Sequence, residues 1–268
     1  MQTPRTFALA LVTSLLGLAP RGAVAASCGD TLVSDTVLSA SVLACVGNGL
    51  IIGADDIVLD CAGFTVSGTG TDRGIQLVGR TGVRVVNCRV SEFSRGIYLE
   101  GSSANHVVHN EVTRGTGTGG GAIELQSSTD NVVEGNRVID NAGRGIELVA
   151  SDGNLILENR LARNDFRGID LIDSTGNAVV RNTIHDNTSA GIVVELASTA
   201  NLLFDNTVTD SGSGGAAMFS GPNTLLGNAF DGNGTWGIED TTGPTNVYVF
   251  NTCAGNGSGP STPASLCQ

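Results

Sequence analysis

The sequence predicts an all-β solenoid, a single domain in which short parallel strands stack turn upon turn. The motif Asn-x-x-x-x-Asn recurs at one phase in seven successive turns, and its second asparagine recurs every 22 to 26 residues from Asn87 to Asn251. A Gly-Ile pair precedes most copies. A fixed period of this length is typical of folds whose repeats bury their apolar faces only by stacking. The pairs are Asn105/Asn110, Asn131/Asn136, Asn154/Asn159, Asn177/Asn182, Asn201/Asn206, Asn223/Asn228 and Asn246/Asn251.

One period, residues 145–164, shows what each turn contains. Apolar residues alternate at Ile146 and Leu148, again at Leu155 and Leu157, and reappear at Leu161, with Ser, Asp, Gly and Asn between them. Alternation over so short a stretch predicts strands, and the polar residues between them predict turns. Each turn is therefore expected to contain three short strands, which stack on their counterparts about 4.8 Å away.

The repeated asparagines and glycines have structural explanations. Asparagine tolerates a left-handed backbone at a turn, and a stacked amide can donate to one neighbour while it accepts from another. A glycine before each isoleucine allows a bend where a Cβ atom would crowd the chain. We therefore assign these residues to the scaffold and give them no catalytic role.

The first 25 residues are predicted to be a secretory signal peptide. Arg5 precedes an apolar stretch over 7–18, and Ala23-Val24-Ala25 has the small residues of a cleavage site. The alternative is a membrane anchor that stays uncut. With cleavage, the mature chain is expected to begin at Ala26 and to be exported, either to the periplasm or out of the cell.

The charge of the mature chain excludes two classes of partner. The sequence has 26 acidic residues and no lysine, and 12 of its 14 arginines lie after residue 25, so the mature net charge is 12 − 26 = −14. Such a charge argues against nucleic acid and against anionic membrane surfaces. No arginine lies beyond Arg181. We expect no membrane association after cleavage of the signal peptide, and a monomer.

Six cysteines remain after cleavage, an even number that predicts disulfides in an exported chain. Two of them follow Asp60 and Asn87 at the same phase of neighbouring turns, two bracket the N-terminal segment, and two bracket the C-terminal tail. Zinc is the alternative, but no Cys-x-x-Cys occurs. The predicted pairs, which would fasten both ends of the solenoid, are Cys28–Cys45, Cys61–Cys88 and Cys253–Cys267.

The repeat resembles that of the right-handed parallel β-helix families, of the pectate-lyase-like superfamily. Asn-x-x-x-x-Asn followed by Gly-Ile-x-Leu is similar to the repeat of the NosD-like group, and the resemblance covers residues 49–251. The segment LIIGADDIVLDCAGFTVSG resembles the first turns of exported bacterial members. Counting the asparagine repeats and the N-terminal turns predicts about 8 to 10 turns, with 26–60 as N-terminal cap and first turns, 61–253 as repeats and 254–268 as C-terminal cap.

The x position of Gly-Ile-x-Leu supplies the candidate site. It is expected to point outward, and in three consecutive turns it carries Glu124, Glu147 and Asp170 in one exposed column. Arg144 and Arg167 stand just before the Gly-Ile pairs and border this column. Stacked like charges are unfavourable unless something neutralises them. These five residues are therefore the candidate catalytic residues, and the alternative is a solvated face with surface ion pairs.

Two chemistries suit this column. Carboxyl groups one turn apart fit a retaining glycosidase, and groups two turns apart fit an inverting one. Alternatively, the three acids could bind Ca²⁺, and the resemblance to pectate-lyase-like proteins implies that an arginine would then remove a sugar proton. Apart from Ca²⁺, no cofactor is expected. Copper would need His, Met or free Cys ligands, and the shortage of them argues against a copper site, since the chain has only three histidines and two methionines and its cysteines are expected to be paired.

The longest turn carries the insertion RGTGTGGGA directly before Glu124. Its formal GxGxxG spacing lacks the strand and helix of a dinucleotide site, so a flexible loop is expected, one that could cover the column. Two functions stay open. The first is a carbohydrate-interacting protein, with polysaccharide as partner and with lyase or hydrolase activity undecided. The second is a non-catalytic cell-surface or extracellular module that is structural or binds a ligand.

Overall fold

The structure is a computed structural model, and it describes residues 23–268. The predicted signal peptide falls outside the described residues except for 23–25. Val24 pairs with Leu38 through a single parallel bridge, which cleavage after Ala25 would remove. Among the described residues, no helix is long and apolar enough to cross a membrane.

The described chain forms three parallel sheets, whose strands are numbered here in chain order. Sheet 1 contains β1 (Asp30–Leu32), β4 (Leu50–Ile52), β7 (Arg73–Val78), β10 (Arg95–Glu100), β13 (Gly121–Gln126), β16 (Arg144–Val149), β19 (Ile169–Ile172), β22 (Ile192–Glu195), β25 (Ala216–Met218), β28 (Trp236–Asp240) and β30 (Gly259–Thr262). Sheet 2 contains β2 (Thr36–Val37), β5 (Val58–Asp60), β8 (Arg84–Val86), β11 (His106–Val108), β14 (Val132–Glu134), β17 (Leu155–Leu157), β20 (Ala178–Val180), β23 (Leu202–Phe204), β26 (Thr224–Leu226) and β29 (Val247–Val249). Sheet 3 contains β3 (Val42–Cys45), β6 (Thr65–Gly68), β9 (Arg89–Ser91), β12 (Glu111–Thr113), β15 (Arg137–Ile139), β18 (Arg160–Ala162), β21 (Thr183–His185), β24 (Thr207–Thr209) and β27 (Ala229–Asp231).

Every strand pairs with its counterpart one turn away, so the chain is a parallel β-helix of about ten turns. Equivalent positions of the repeat are in register; Ile123 pairs with Ile146, and Glu147 pairs with Asp170. The predicted all-β solenoid with three strands per turn is confirmed. The three predicted disulfides are confirmed as well, and they join Cys28–Cys45, Cys61–Cys88 and Cys253–Cys267.

The interior is filled by the inward columns of Ile, Leu and Val, which form one continuous core from Leu38 to Ile238. The glycines before the isoleucines are required by close packing. A Cβ atom on Gly145 would lie 2.6 Å from both the Gly168 carbonyl oxygen and a methyl carbon of Leu161. The bend at β16 therefore depends on the absence of a side chain, and Gly168 and Gly191 are equally crowded at β19 and β22.

The asparagines form buried hydrogen-bonded ladders, as the scaffold interpretation predicts. Both the backbone N–H and the side-chain amide of Asn136 donate to Asn159 Oδ1, at 2.9 and 3.0 Å. The Asn159 amide also donates back to the Val133 carbonyl at 2.8 Å. Each amide thus satisfies three neighbours inside the rod.

Two further ladders were not predicted. One is a third asparagine ladder, whose members lie five positions after the second asparagine of each motif, at Asn141, Asn164, Asn187, Asn233 and Asn256. The other is a serine ladder three residues before the first asparagine, hydrogen-bonded from Ser102 to Ser198, and Ser220 is buried at the same position of the next turn. The third asparagine ladder is broken at Ser211, whose buried hydroxyl has no hydrogen-bond partner.

Candidate functional site

The outer face of sheet 1 carries the three acids of the predicted column, here called the acid column: Glu124, Glu147 and Asp170. Ile146 and Leu148 point into the core, so Glu147 between them points outward, as expected from alternation. The predicted exposure is wrong, however. Glu124 is 3 % exposed, Glu147 is 4 % exposed and Asp170 is 0 % exposed. They are buried because arginine side chains and a loop, described below, lie over them at the start of the sheet 1 strands.

Arginines neutralise the acid column. Arg144 Nε contacts Asp170 Oδ2 at 2.6 Å and Glu147 Oε1 at 3.2 Å. Arg167 Nη1 lies 2.7 Å from the same Asp170 oxygen. Arg95 forms an ion pair with Glu124. The structure therefore brings all five predicted site residues into one cluster, and it adds Arg95.

An aromatic ring lies among the arginines that cover the column. The guanidinium carbons of Arg144 and Arg167 each lie 4.9 Å from the centre of the Phe166 ring. Arg167 also contacts Glu195 at 2.9 Å. We call Arg95, Arg144, Phe166 and Arg167 the arginine roof. The sequence analysis did not include Phe166 or Glu195, although Phe166 stands only two residues before a Gly-Ile pair.

The insertion over 115–120 packs over the N-terminal end of the acid column. A Cβ atom on Gly120 would lie 2.4 Å from Glu124 Oε2, so the loop backbone packs closely against this carboxylate. The Thr116 hydroxyl donates to the Gly70 carbonyl at 2.6 Å. The loop thus lies against Glu124 and is tied to an earlier turn, and its role as a lid stays a prediction.

Burial sets the protonation of the cluster. It raises the pKa of Glu147 to about 7, and the neighbouring Glu124 and Asp170 also raise it, while the Arg144 guanidinium opposes the shift. Burial likewise raises the pKa of Asp170, against the lowering effect of Arg167 and Arg144. Asp170 Oδ1 is buried without a hydrogen-bond partner, because both arginines bind Oδ2.

The donor set does not fit Ca²⁺. The acid column's oxygens face guanidinium groups, and no group of three or more His, Cys, Asp or Glu side chains in residues 23–268 is arranged to hold a metal ion. Further along the same column, Val193 and Ala217 replace the acids. The cluster can instead supply a carboxyl group that keeps its proton near neutral pH beside a second carboxyl group one rung away.

The aromatic residues of sheet 1, Tyr98 and Trp236, do not form a platform on which a sugar could stack. Tyr98 is buried under Arg73, whose guanidinium carbon lies 4.1 Å from the ring centre. Trp236 is half-buried in β28, six sheet 1 strands further along the rod. Tyr98 is in register with Glu124 at one end of the acid column, and Phe166 packs against the arginines that bind Glu147 and Asp170.

A family model described as the right handed beta helix region matches residues 73–233. No curated protein matches the chain. The solved structures with a similar fold include the alginate lyase from Paenibacillus sp. str. FPU-7, with 14 % identity and a TM-score of 0.61 over 89 % of this chain and 90 % of that one. The periplasmic alginate epimerase AlgG has 17 % identity and a TM-score of 0.52 over 87 % of this chain and 70 % of that one. Tailspike protein 2 of Escherichia coli O157:H7 bacteriophage CAB120 has 14 % identity and a TM-score of 0.59, but this chain matches only 38 % of its length. At such identities the likeness shows the fold alone.

Proposed function

The chain belongs to the right-handed β-helix family, and from this premise we propose that it is an exported protein that acts on polysaccharide. Its three disulfides favour an oxidising compartment outside the cytoplasm. Two of the similar structures are named for enzymes of alginate, which agrees with a carbohydrate substrate. The NosD-like subgroup stays a prediction.

The observation that carries the proposal is the pairing of Glu147 with Asp170. They are in register on adjacent strands, so their side chains start about 4.8 Å apart, close to the carboxyl separation of a retaining glycosidase. Glu147 keeps its proton up to about pH 7. Asp170 has one oxygen that no hydrogen bond occupies. Hydrolysis therefore fits the site better than elimination, which requires a base in the place of a protonated acid.

The proposed reaction assigns one step to each residue. Glu147 gives its proton to the leaving glycosidic oxygen as the bond to the anomeric carbon breaks. Asp170 Oδ1 forms an ester with that carbon, and water, deprotonated by Glu147, then releases the sugar. Arg144 and Arg167 hold the other Asp170 oxygen and orient it. Because Asp170 is fully buried, the arginine roof must move aside before a sugar can reach it.

The test is a polysaccharide screen with the purified mature protein, following new reducing ends and the ultraviolet absorbance of unsaturated products. We expect new reducing ends without unsaturated products. Glu147→Gln is expected to lower kcat by at least about 100-fold, since general acid catalysis contributes that much. Glu239→Gln is the matched control, because Glu239 occupies the same repeat position outside the cluster. Unsaturated products, or an unchanged rate in Glu147→Gln, would contradict the proposal.

One observation favours a second function. Every acid of the column is ion-paired and nearly inaccessible, so the cluster can also serve only to hold the turns together. The protein would then be a non-catalytic rod that binds or spaces other molecules. No activity on any polysaccharide, together with a large loss of thermal stability in Asp170→Asn, is the result expected for this function.

A further inference from the structure

A second concave surface lies on a different side of the rod, at the corner where sheet 2 turns into sheet 3. A cavity of about 290 Å³ opens there. Asn87, His109 and Gly135 occupy the corner position of three successive turns and form its floor. Arg89 and Arg137, from β9 and β15, line its sheet 3 side. We call it the corner groove.

The floor has its shape because one side chain is missing. At this corner the backbone is left-handed in each turn, with φ of 57° at Asn87, 53° at His109 and 61° at Gly135. The later turns carry Glu158, Arg181 and Asp205 at the same corner. Gly135 therefore leaves a gap, and the His109 ring lies over it, since a Cβ atom on Gly135 would be 2.7 Å from His109 Cδ2.

The wall is cationic, although the protein as a whole is strongly acidic. Arg89, Glu111 and Arg137 are in register on the outer face of sheet 3. Glu111 pairs with Arg137 and lies 4.0 Å from Arg89, so a single carboxylate stands between two guanidinium groups. The two arginine side chains are 66 % and 48 % exposed, which leaves donors of both free to meet a ligand.

The next rung extends the positive charge. Arg160 pairs in register with Arg137 and is exposed, and no ion pair joins it to an acid among the described residues. Over these four rungs the outer column of sheet 3 holds three arginines and one glutamate, a local charge of 3 − 1 = +2. An acidic surface with one cationic strip concentrates anions at that strip.

We infer that the corner groove binds an anionic saccharide, with the carboxylate groups of its sugars on Arg89 and Arg137. The planar guanidinium group matches a carboxylate with two parallel hydrogen bonds. The floor supplies the amide of Asn87 and the ring of His109, and Glu111 supplies an acceptor, which together suit the hydroxyl groups of a sugar. This site is separate from the acid column and does not require its chemistry.

The test is calorimetric titration of the full chain with tetragalacturonate as an acidic probe and cellotetraose as a neutral one. We expect tetragalacturonate to bind with an affinity that falls as salt rises, and cellotetraose to bind at least tenfold more weakly. Equal binding of the two probes, or no binding of tetragalacturonate, would overturn the inference.

Two pairs of variants locate the site. Gly135→Asn fills the gap, and asparagine already adopts the same backbone at Asn87, so folding is expected to survive; Gly227→Asn is the control at the same corner, outside the groove. Arg137→Gln removes one cation of the wall, and Arg181→Gln is its control. Each groove variant is expected to weaken the binding of tetragalacturonate at least tenfold, and each control variant to weaken it less than twofold.

The remaining outcomes are equally decisive. Groove variants that bind as the wild type does, or controls that lose as much affinity, would overturn the assignment to this corner. Glu147→Gln is expected to bind tetragalacturonate normally. Loss of binding in that variant alone would place the ligand on sheet 1 and overturn the corner groove.

Discussion

The protein stacks polar side chains in two regions with opposite results. Inside the rod, asparagine ladders run through as many as seven turns, and each amide meets an identical amide in the next turn. On the outer face of sheet 1, three stacked acids require an equal number of arginines from their own and neighbouring turns. An amide carries both a donor and an acceptor, so repetition alone satisfies it, whereas a carboxylate has no donor for its neighbour. A repeated asparagine can therefore form the scaffold alone. A repeated carboxylate cannot bond to its own copies, so it marks a place where the protein must supply other residues to neutralise it.

The largest effect is expected from breaking a ladder. Asn159→Ala removes the acceptor of two Asn136 donors and the donor to the Val133 carbonyl, all of them buried. Each orphaned group costs about 1–3 kcal/mol, so we expect the free energy of unfolding to fall by about 4 kcal/mol. Chemical denaturation measures it. Asn256→Ala, at the half-buried end of another ladder, is the control and should cost less than half as much; equal losses would contradict the ladder explanation.

A smaller effect is expected from the acid column, and it depends on pH. The pKa of Glu147 is raised from 4.5 to about 7 in the folded state, so the folded protein binds more protons than the unfolded chain between these values. Stability from this group therefore falls as pH rises from about 4.5 through about 7, by about 2 kcal/mol once solvent screening is allowed for. Glu147→Gln is expected to remove this slope from denaturation curves, and Glu239→Gln to keep it. An unchanged slope in Glu147→Gln would be inconsistent with a proton held on this carboxyl group.

The smallest effect is expected from repairing the broken ladder. Ser211 stands where the turns before and after it carry Asn187 and Asn233, and its hydroxyl has no partner. Ser211→Asn would offer an acceptor to Asn187 and should raise the free energy of unfolding by about 1 kcal/mol. Ser213→Asn, two residues away and half-buried, is the control and should change little. A loss of stability in Ser211→Asn would show that the rod cannot accommodate an amide there.

The fold could be predicted because its cause is periodic. The asparagines equivalent to Asn131 and Asn136 recur at fixed positions of each repeat, and so do the apolar residues that fill the core. The third ladder was also visible, since Asn141, Asn164 and Asn187 each lie five residues after a second asparagine, but Ser211 interrupts it. The serine ladder has the same fixed offset from the first asparagine, and serine is too common in turns for this to stand out.

The candidate site could be predicted only in part. Alternation places Glu147 on the outside of its strand, and register places it beside Glu124 and Asp170. Alternation does not reveal what lies above a strand. The burial of the acids comes from the arginine roof and from the 115–120 loop, whose positions depend on contacts between turns. The corner groove escaped sequence analysis for a similar reason, because it arises where Gly135 breaks a column that has no fixed residue type.

The ladders also give the rod a direction. Along each ladder the side-chain amide donates to the amide oxygen of the following turn, whereas in the backward direction it donates only to main-chain carbonyls, as Asn159 does to Val133. Each turn in the middle of the rod therefore offers amide oxygens as acceptors to the preceding turn and amide N–H groups as donors to the following turn, as every other such turn does. If one whole period were removed or duplicated, the donors and acceptors of each ladder would still match across the junction. The rod can therefore become shorter or longer by single turns while its two ends stay the same.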